Sequence, residues 1–407
     1  MSFVRKFWRA SAGEEQSAEP LTLPRCGMTA ADVIITPNEA NERHGIGIIV
    51  ERFFGSFPNT LSLRSQDSFG GDQKFGTFKL RLSHAGLARW ESYERLLNVL
   101  NGSTIQRIVC IPFFADDLIT AICLKELFNV PLCVYVMDDN NIGAHGIPDA
   151  LFAEALGKAR LRLGISPEIR DAYAAKFNVP FYVLPPLIDR SHVLAEPVMP
   201  EAAITERRPG ALIGNIWSQQ WLERLRHALR GSGVKLHWYG NINASWLHYS
   251  KEALEADGIT TIGFLPEEDL IERLRWHPFA VIPSGSLDDH DDRPELARLS
   301  LPSRIPYLAA VANLPLIVLG HPETSAGHFV KQFQIGLVCP YEPKPLREAA
   351  LRICNIEEQW LFRRHAAEKG CAFILDHPGQ WLWDSLAKGA PVDDRFERLM
   401  PPNFGVR

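Results

Sequence analysis

Long apolar runs, paired cysteines and a surplus of basic charge are all missing from this chain of 407 residues. No stretch of 18 or more apolar residues occurs, which excludes a helical membrane span. The seven cysteines, at 26, 110, 123, 133, 339, 354 and 371, lie mostly inside apolar runs such as "RIVCIP" and "PLCVYV". Their spacing is neither regular nor metal-like, so they are expected as buried free thiols in a reducing compartment. Lys and Arg number 43 against 48 Asp and Glu, a net charge of -5. A protein that coats nucleic acid carries the opposite balance, so no nucleic-acid partner is expected. No repeat of fixed period, low-complexity tract or secretory signal is visible, and a cytoplasmic protein is expected.

What is present is an ordinary globular composition, 46% hydrophobic and 22% charged, on a chain too long for one core. Two domains are expected. The opening "MSFVRKFWRA" sets Phe3, Val4, Phe7 and Trp8 at helical spacing, with Arg5, Lys6 and Arg9 on the other face. It reads either as a peripheral contact with the inner membrane face through residues 3–9 or as a frayed terminus.

From residue 31 onward short β-branched runs alternate with amphipathic ones. "DVIIT" (32–36), "RIVCIP" (107–112), "PLCVYVMDD" (131–139), "LRLGIS" and "FYVLPP" read as strands, with helices between them. The pattern lapses into "DRSHVLAEPVMPEAAITERRPG" and then restarts with "GALIGNI" (210–216), "VKLHWYG" (234–240), "TTIGFL" (260–265), "FAVIPS" (279–284), "LPLIVLG" and "GLVCPY". Strands separated by helices of this length pair in parallel, giving an α/β fold of two doubly wound, Rossmann-like domains facing each other across a cleft. The expected division is an N-terminal extension (1–26), a first domain (27–190), a linker (191–209), a second domain (210–375) and a C-terminal segment (376–407) packing back on the first. In such sheets ligands sit beyond the carboxyl ends of the strands.

Several short motifs fall at those ends. In "SLPSRIPYLAAVANLPLIVLG" (300–320) Pro302 and Ser303 open a helix. Amides near Ser303 and Arg304 would hold a diphosphate there, with the hydroxyl and guanidinium adding charge-assisted bonds; the other reading is a capping serine beside a surface arginine. In "PNEANERHGIGIIVERFF" Gly45 and Gly47 open a helix and permit close backbone approach to a ligand, or simply form a turn beside His44. Asp138 and Asp139 stand just past a strand end, where a carboxylate serves either as an acid–base group or as a cap for the next turn. The acidic "SLDDHDDRPELARL" (286–299) is read as a solvated loop, and no metal site is expected.

The segment "PSRIPYLAAVANLP" resembles the C-terminal half of bacterial glycosyltransferases of GT-B architecture, family four, whose members often read Pro-Ser-Lys-Ile-x-Glu-Tyr-Leu-Ala-Ala-Gly-x-Pro. That resemblance implies that Ser303 and Arg304 hold the nucleotide's diphosphate. The family's ribose-binding glutamate is missing, with Pro306 or Tyr307 near its place. It further implies that Gly214, Asn215 and Gly240 line phosphate loops, that Gly263 and Phe264 lie against the base, and that Tyr307 and Glu295 belong to the donor site. The family's basic pair after the first nucleotide-domain loop is also absent; Arg224 is the candidate substitute, and Trp217 and Trp221 are expected to pack. In the first domain it implies that Gly45, Gly47 and His44 face the cleft and that Asp138, ahead of Asp139, orients or deprotonates an acceptor hydroxyl.

The expected function is transfer of a sugar, with retention, from a nucleotide-diphosphate donor to a saccharide or lipid-linked acceptor in bacterial surface-glycan synthesis, without a cofactor. The alternatives are a sugar-nucleotide epimerase of similar fold and a binding protein that has lost turnover.

Overall fold

The computed structural model describes residues 24–42, 44–68, 70–197, 208–240 and 247–402. The amphipathic segment 3–9, most of the expected extension and much of the expected linker lie outside the described residues.

The first sheet is built from β1 (Ala31–Thr36), β2 (Thr60–Arg64), β3 (Phe78–Arg81), β4 (Ile105–Cys110), β5 (Leu132–Val136), β6 (Leu161–Gly164) and β7 (Tyr182–Val183), in the order β3-β2-β1-β4-β5-β6-β7. Helices α1 (Gly45–Phe54), α2 (Arg89–Leu100), α3 (Ala115–Phe128), α4 (Asp149–Lys158) and α5 (Pro167–Phe177) connect them. Every strand pairing is parallel. The central strands "ADVIIT" and "LCVYV" are buried along their whole length, as strands covered by helices on both faces must be.

The second sheet runs β10-β9-β8-β11-β12-β13, again all parallel, from β8 (Gly210–Ile213), β9 (Leu236–Tyr239), β10 (Ile259–Gly263), β11 (Ala280–Pro283), β12 (Leu316–Leu319) and β13 (Gly336–Cys339). Its helices are α6 (Gln219–Leu229), α7 (Lys251–Ala256), α8 (Glu267–Leu274), α9 (Pro294–Leu299), α10 (Arg304–Ala312), α11 (Ser325–Phe333), α12 (Pro343–Ile353) and α13 (Ile356–Gly370). Helix starts are fixed locally: Ser166 accepts the Ile169 N–H at 3.1 Å with Pro167 following, and Ser218 accepts the Trp221 N–H at 3.0 Å. Strand order reverses between β1 and β4 in one sheet and between β8 and β11 in the other, which puts a crevice at each switch point.

The chain then returns. Ile188 and Ile374 form a parallel bridge where the outgoing and returning segments meet, and α14 (Pro378–Lys388) packs on α1. The close fit needs a glycine: a Cβ on Gly379 would stand 2.1 Å from the Phe53 carbonyl oxygen. Trp383, 2% exposed, sits 5.0 Å from the Phe54 ring, and the Arg107 guanidinium lies 4.0 Å over it. A final short helix, α15 (Arg395–Leu399), delivers Glu397 to Arg170 of α5. Of the cysteines, 26, 110, 123, 133 and 339 are buried as expected, but Cys371 is exposed.

Because the returning helix completes the first core, Trp383→Ala is expected to cost about 3–5 kcal/mol, the usual range for emptying a buried aromatic site. Chemical denaturation measures this; a loss below about 1 kcal/mol would mean the helix is merely appended.

Candidate functional site

The two lobes meet along a seam where loops from both sheets interlock. Helix α10 begins there, and its first turn departs from the sequence expectation. Ser303 is already helical, at φ -56° and ψ -24°, and its side chain makes no capping bond. Instead its hydroxyl faces the first lobe: a Cβ on Gly45 would lie 3.1 Å from Ser303 Oγ. Gly45 is thus the point where a bare backbone lets the lobes approach.

Arg304 is the most constrained side chain in the region. Its Nη1 donates to the carbonyls of Ile213 at 2.8 Å and Asn215 at 2.9 Å, which ties the start of α10 to the exit of β8. Nε and Nη2 are buried and have no partner among the described residues. Burial lowers its pKa to about 10, so it stays cationic at neutral pH. It is therefore not the surface arginine that the sequence also allowed. Each uncommitted buried donor costs about 1–3 kcal/mol, a penalty that an anionic ligand would remove.

Gly214 adjoins the guanidinium, a Cβ there standing 3.9 Å from Nη1, and the two neighbouring strands also end in glycine. Gly214, Gly240 and Gly263 close β8, β9 and β10 with φ of +74°, +148° and +90°. They are knitted together: the Gly240 N–H donates to the Gly263 carbonyl at 3.0 Å, and the Gly214 N–H to the Tyr239 carbonyl at 2.8 Å. A Cβ on Gly240 would come within 3.0 Å of the Gly214 backbone. Gly263 faces open space, and the next residue, Phe264, is exposed. The basic residue suggested as a substitute for the missing pair, Arg224, is bound to Asp288 through two bonds of 2.9 Å. The acidic loop is organised too, with Asp291 accepting from Leu287 and Arg293 amides and from Trp221 Nε1. Trp221 is buried, whereas Trp217 is exposed.

From the first lobe, the two aspartates part company. Asp139 is buried with both oxygens engaged: it accepts the N–H groups of Asn141, Ile142, Gly143 and Ala144, and the Tyr173 hydroxyl at 3.0 Å. It organises its loop, and its carboxylate has no capacity left for an acceptor. Asp138 is different. Burial and the neighbouring Asp139 charge push its pKa up to about 7, against the lowering effect of a hydrogen bond from Ser300. The Ser300 hydroxyl belongs to the second lobe and also accepts the Asp139 N–H at 3.2 Å.

Other residues have plainer places. His44 bonds to the Glu39 carbonyl oxygen, and burial lowers its pKa, leaving a neutral imidazole beside Gly45. Gly47 serves packing rather than ligand approach, because a Cβ there would stand 2.1 Å from the Asn41 carbonyl oxygen. Glu295 of α9 crosses the seam and lies on Gly143, where a Cβ would overlap its side chain. Tyr307 is half-buried at a different point of the seam, with the Arg52 guanidinium 5.9 Å from its ring centre and Arg52 paired to Glu267 at 2.6 Å. Sequence reasoning missed Ser300, Glu168 and His328. Glu168 of α5 reaches Ser325 at 3.1 Å and His328 at 3.0 Å across the seam. A serine two residues before "PSR" and a histidine in mid-helix carry no local signal of such partners. Among the described residues no group of three or more His, Cys, Asp or Glu is arranged to hold a metal ion.

No protein-family model matches the sequence, and no curated protein matches it. Solved structures do match. HepE of Anabaena, solved in complex with UDP, aligns with TM-score 0.61 at 10% identity over 88% of this chain and 100% of its own. The N-terminal domain of Candida albicans trehalose-6-phosphate phosphatase gives 0.57 at 10% identity over 92% and 99%. The lipopolysaccharide outer core galactosyltransferase WaaB, in its apo form, gives 0.54 at 12% identity over 88% and 99%. The chain has the GT-B type of fold, two Rossmann-like lobes carrying parallel sheets of seven and six strands.

The raised pKa of Asp138 has a measurable consequence. A carboxyl whose folded pKa, about 7, exceeds its unfolded value contributes stability that is complete below about pH 4 and is lost as pH rises toward 7. Asp138→Asn should therefore gain stability relative to the wild type across that interval, with a constant difference above it. Denaturation midpoints between pH 4 and pH 8 test this, and a pH-independent difference would contradict the assignment.

Proposed function

We propose that this chain is a glycosyltransferase that moves a sugar from a nucleoside-diphosphate donor to a hydroxyl acceptor. The observation that carries the proposal is Arg304, a buried cation with two uncommitted nitrogens at the start of a helix and beside a glycine-lined strand end. Helix starts favour anions, and a diphosphate supplies the acceptors that the guanidinium lacks. In this reading Gly214, Asn215, Gly240, Ser303 and Arg304 take the diphosphate, Gly263 and Phe264 flank the base, and Glu295 and Tyr307 border the donor. Gly45 and neutral His44 close the site from the other lobe. The positive helix start and guanidinium stabilise the charge that develops as the bond between sugar and phosphate breaks.

The acceptor hydroxyl lies in the first lobe, oriented by Asp138. Residues 27–190 form the acceptor side, 210–375 the donor side, 191–209 the linker and 376–407 the returning segment. Membership of family four rests on the "PSRIPYLAA" motif and brings retention of configuration: the hydroxyl attacks from the face the diphosphate leaves, and the leaving phosphate takes its proton. Structural neighbours support the substrate class, since HepE was solved with UDP, an α-glucosyltransferase (TM-score 0.52, 12% identity) with UDP-glucose, and WaaB is described as a galactosyltransferase. Assembly of a bacterial surface or lipid-linked glycan at the cytoplasmic membrane face is the setting this reading implies; among the described residues no helix is long and apolar enough to cross a membrane.

Thermal unfolding in the presence of UDP, GDP, ADP, TDP and their sugar conjugates tests the proposal. At least one should raise the melting temperature, with stabilisation of about 2.7 kcal/mol at a hundredfold excess over its Kd. Arg304→Gln should abolish the shift. Absence of any shift in the wild type, or its full retention in Arg304→Gln, would overturn the reading.

A further inference from the structure

A cavity of about 370 Å3 opens on the flank of α8, lined by Leu265, Asp269, Glu272, Arg273 and Trp276. None of the residues assigned to the donor or acceptor lines it. Residues 269, 272, 273 and 276 recur at three- and four-residue spacing, so they share one face of the helix and its C-terminal extension. Trp276 is 55% exposed, and Asp269, Glu272 and Arg273 are exposed as well.

Asp269 and Arg273 are opposite in sign and four residues apart, in the order that favours pairing. Elsewhere a pair of this order either closes, as Asp394–Arg398 does at 3.0 Å, or stays open because each side chain has another partner, as with Glu91 and Arg95 or Glu348 and Arg352. Among the described residues the side chains of Asp269, Glu272 and Arg273 have no hydrogen-bond or ion-pair partner and instead stand apart around the cavity.

We infer that this cavity is a binding site for a neutral saccharide, with a pyranose ring stacked on the Trp276 indole and its hydroxyls bonded to Asp269, Glu272 and Arg273. The chemistry selects that class. A sugar presents a face of C–H groups, which suits an exposed aromatic surface, and hydroxyls that both donate to carboxylates and accept from a guanidinium. Two carboxylates against one guanidinium repel phosphates, which disfavours nucleotides and nucleic acid. A peptide would need an apolar groove, and Leu265 is the one aliphatic side chain in the lining. The volume falls within the range of small-ligand sites. This assignment does not rest on the transferase reading: the site could hold a glycan whether or not the seam transfers a sugar.

The test is a screen of the full chain against an array of neutral oligosaccharides, followed by titration calorimetry with the best of them. Wild type should bind, Trp276→Ala and Glu272→Gln should each weaken binding about tenfold or more, and Arg304→Gln should leave it unchanged. Both variants at the cavity alter exposed side chains, so melting temperatures should stay at the wild-type value. No binding by the wild type, or wild-type affinity in Trp276→Ala, would overturn the assignment. Loss in Arg304→Gln alone would place the saccharide in the seam and overturn it equally, while failure of nucleotide binding there would leave this result untouched.

Discussion

A guanidinium shielded from water with part of its hydrogen-bonding fork unsatisfied is the constraint around which the rest of this structure is arranged. Desolvation depresses the pKa of Arg304 without removing its charge. The contacts to Ile213 and Asn215 keep the side chain where the second sheet changes direction. A cation held there without a full set of acceptors costs stability, and proteins retain such an arrangement where a ligand supplies the missing acceptors. Gly214 keeps a side chain away from the guanidinium, since a Cβ there would stand 3.9 Å from Arg304 Nη1, and Gly240 lets the end of β9 pack against Gly214.

The seam extends this logic to the first lobe. Ser300 bridges Asp138 and Asp139, Ser166 donates to the Leu299 carbonyl, and Glu168 reaches Ser325 and His328. The two serine contacts hold the loop before α10 against the carboxyl ends of β5 and β6, and Glu168 ties α5 to α11. The same loop that presents Ser303 and Arg304 is therefore positioned by the lobe proposed to hold the acceptor. Asp139, held by four backbone amides, lies beside Asp138, and its charge is one reason its neighbour titrates near neutrality.

Much of the fold was legible because strand and helix periods differ. "DVIIT", "PLCVYV" and "LPLIVLG" are β-branched runs too short for buried helices, and the amphipathic stretches between them left parallel pairing as the consistent arrangement. The region from 55 to 105 was not resolved by that reading. Strands β2 and β3 are short, polar or near an edge, and α2 has a largely exposed face. At the site, local chemistry singled out Ser303, Arg304 and Gly45 as a helix start and a glycine turn with either a binding or a structural role, while Gly214 came from the family resemblance; the serine makes no cap. The sequence ranked Asp138 ahead of Asp139 by its nearness to the strand, but it could not show that the loop through Gly143 would engage both oxygens of Asp139. Nor could it show that Gly47 packs on Asn41, or that Ser300, more than 160 residues away from Asp138, stands beside it. Partners brought together by the docking of two lobes leave no periodicity.

The central claim is that the uncommitted donors of Arg304 and the start of α10 bind a diphosphate. Hydrogen–deuterium exchange followed by mass spectrometry, with and without a saturating nucleoside diphosphate, tests it most directly. Slower exchange is predicted in the segments 210–216 and 300–308 together, with little change in α2 and α12. Protection confined to other segments, or none in either of these two, would contradict the account.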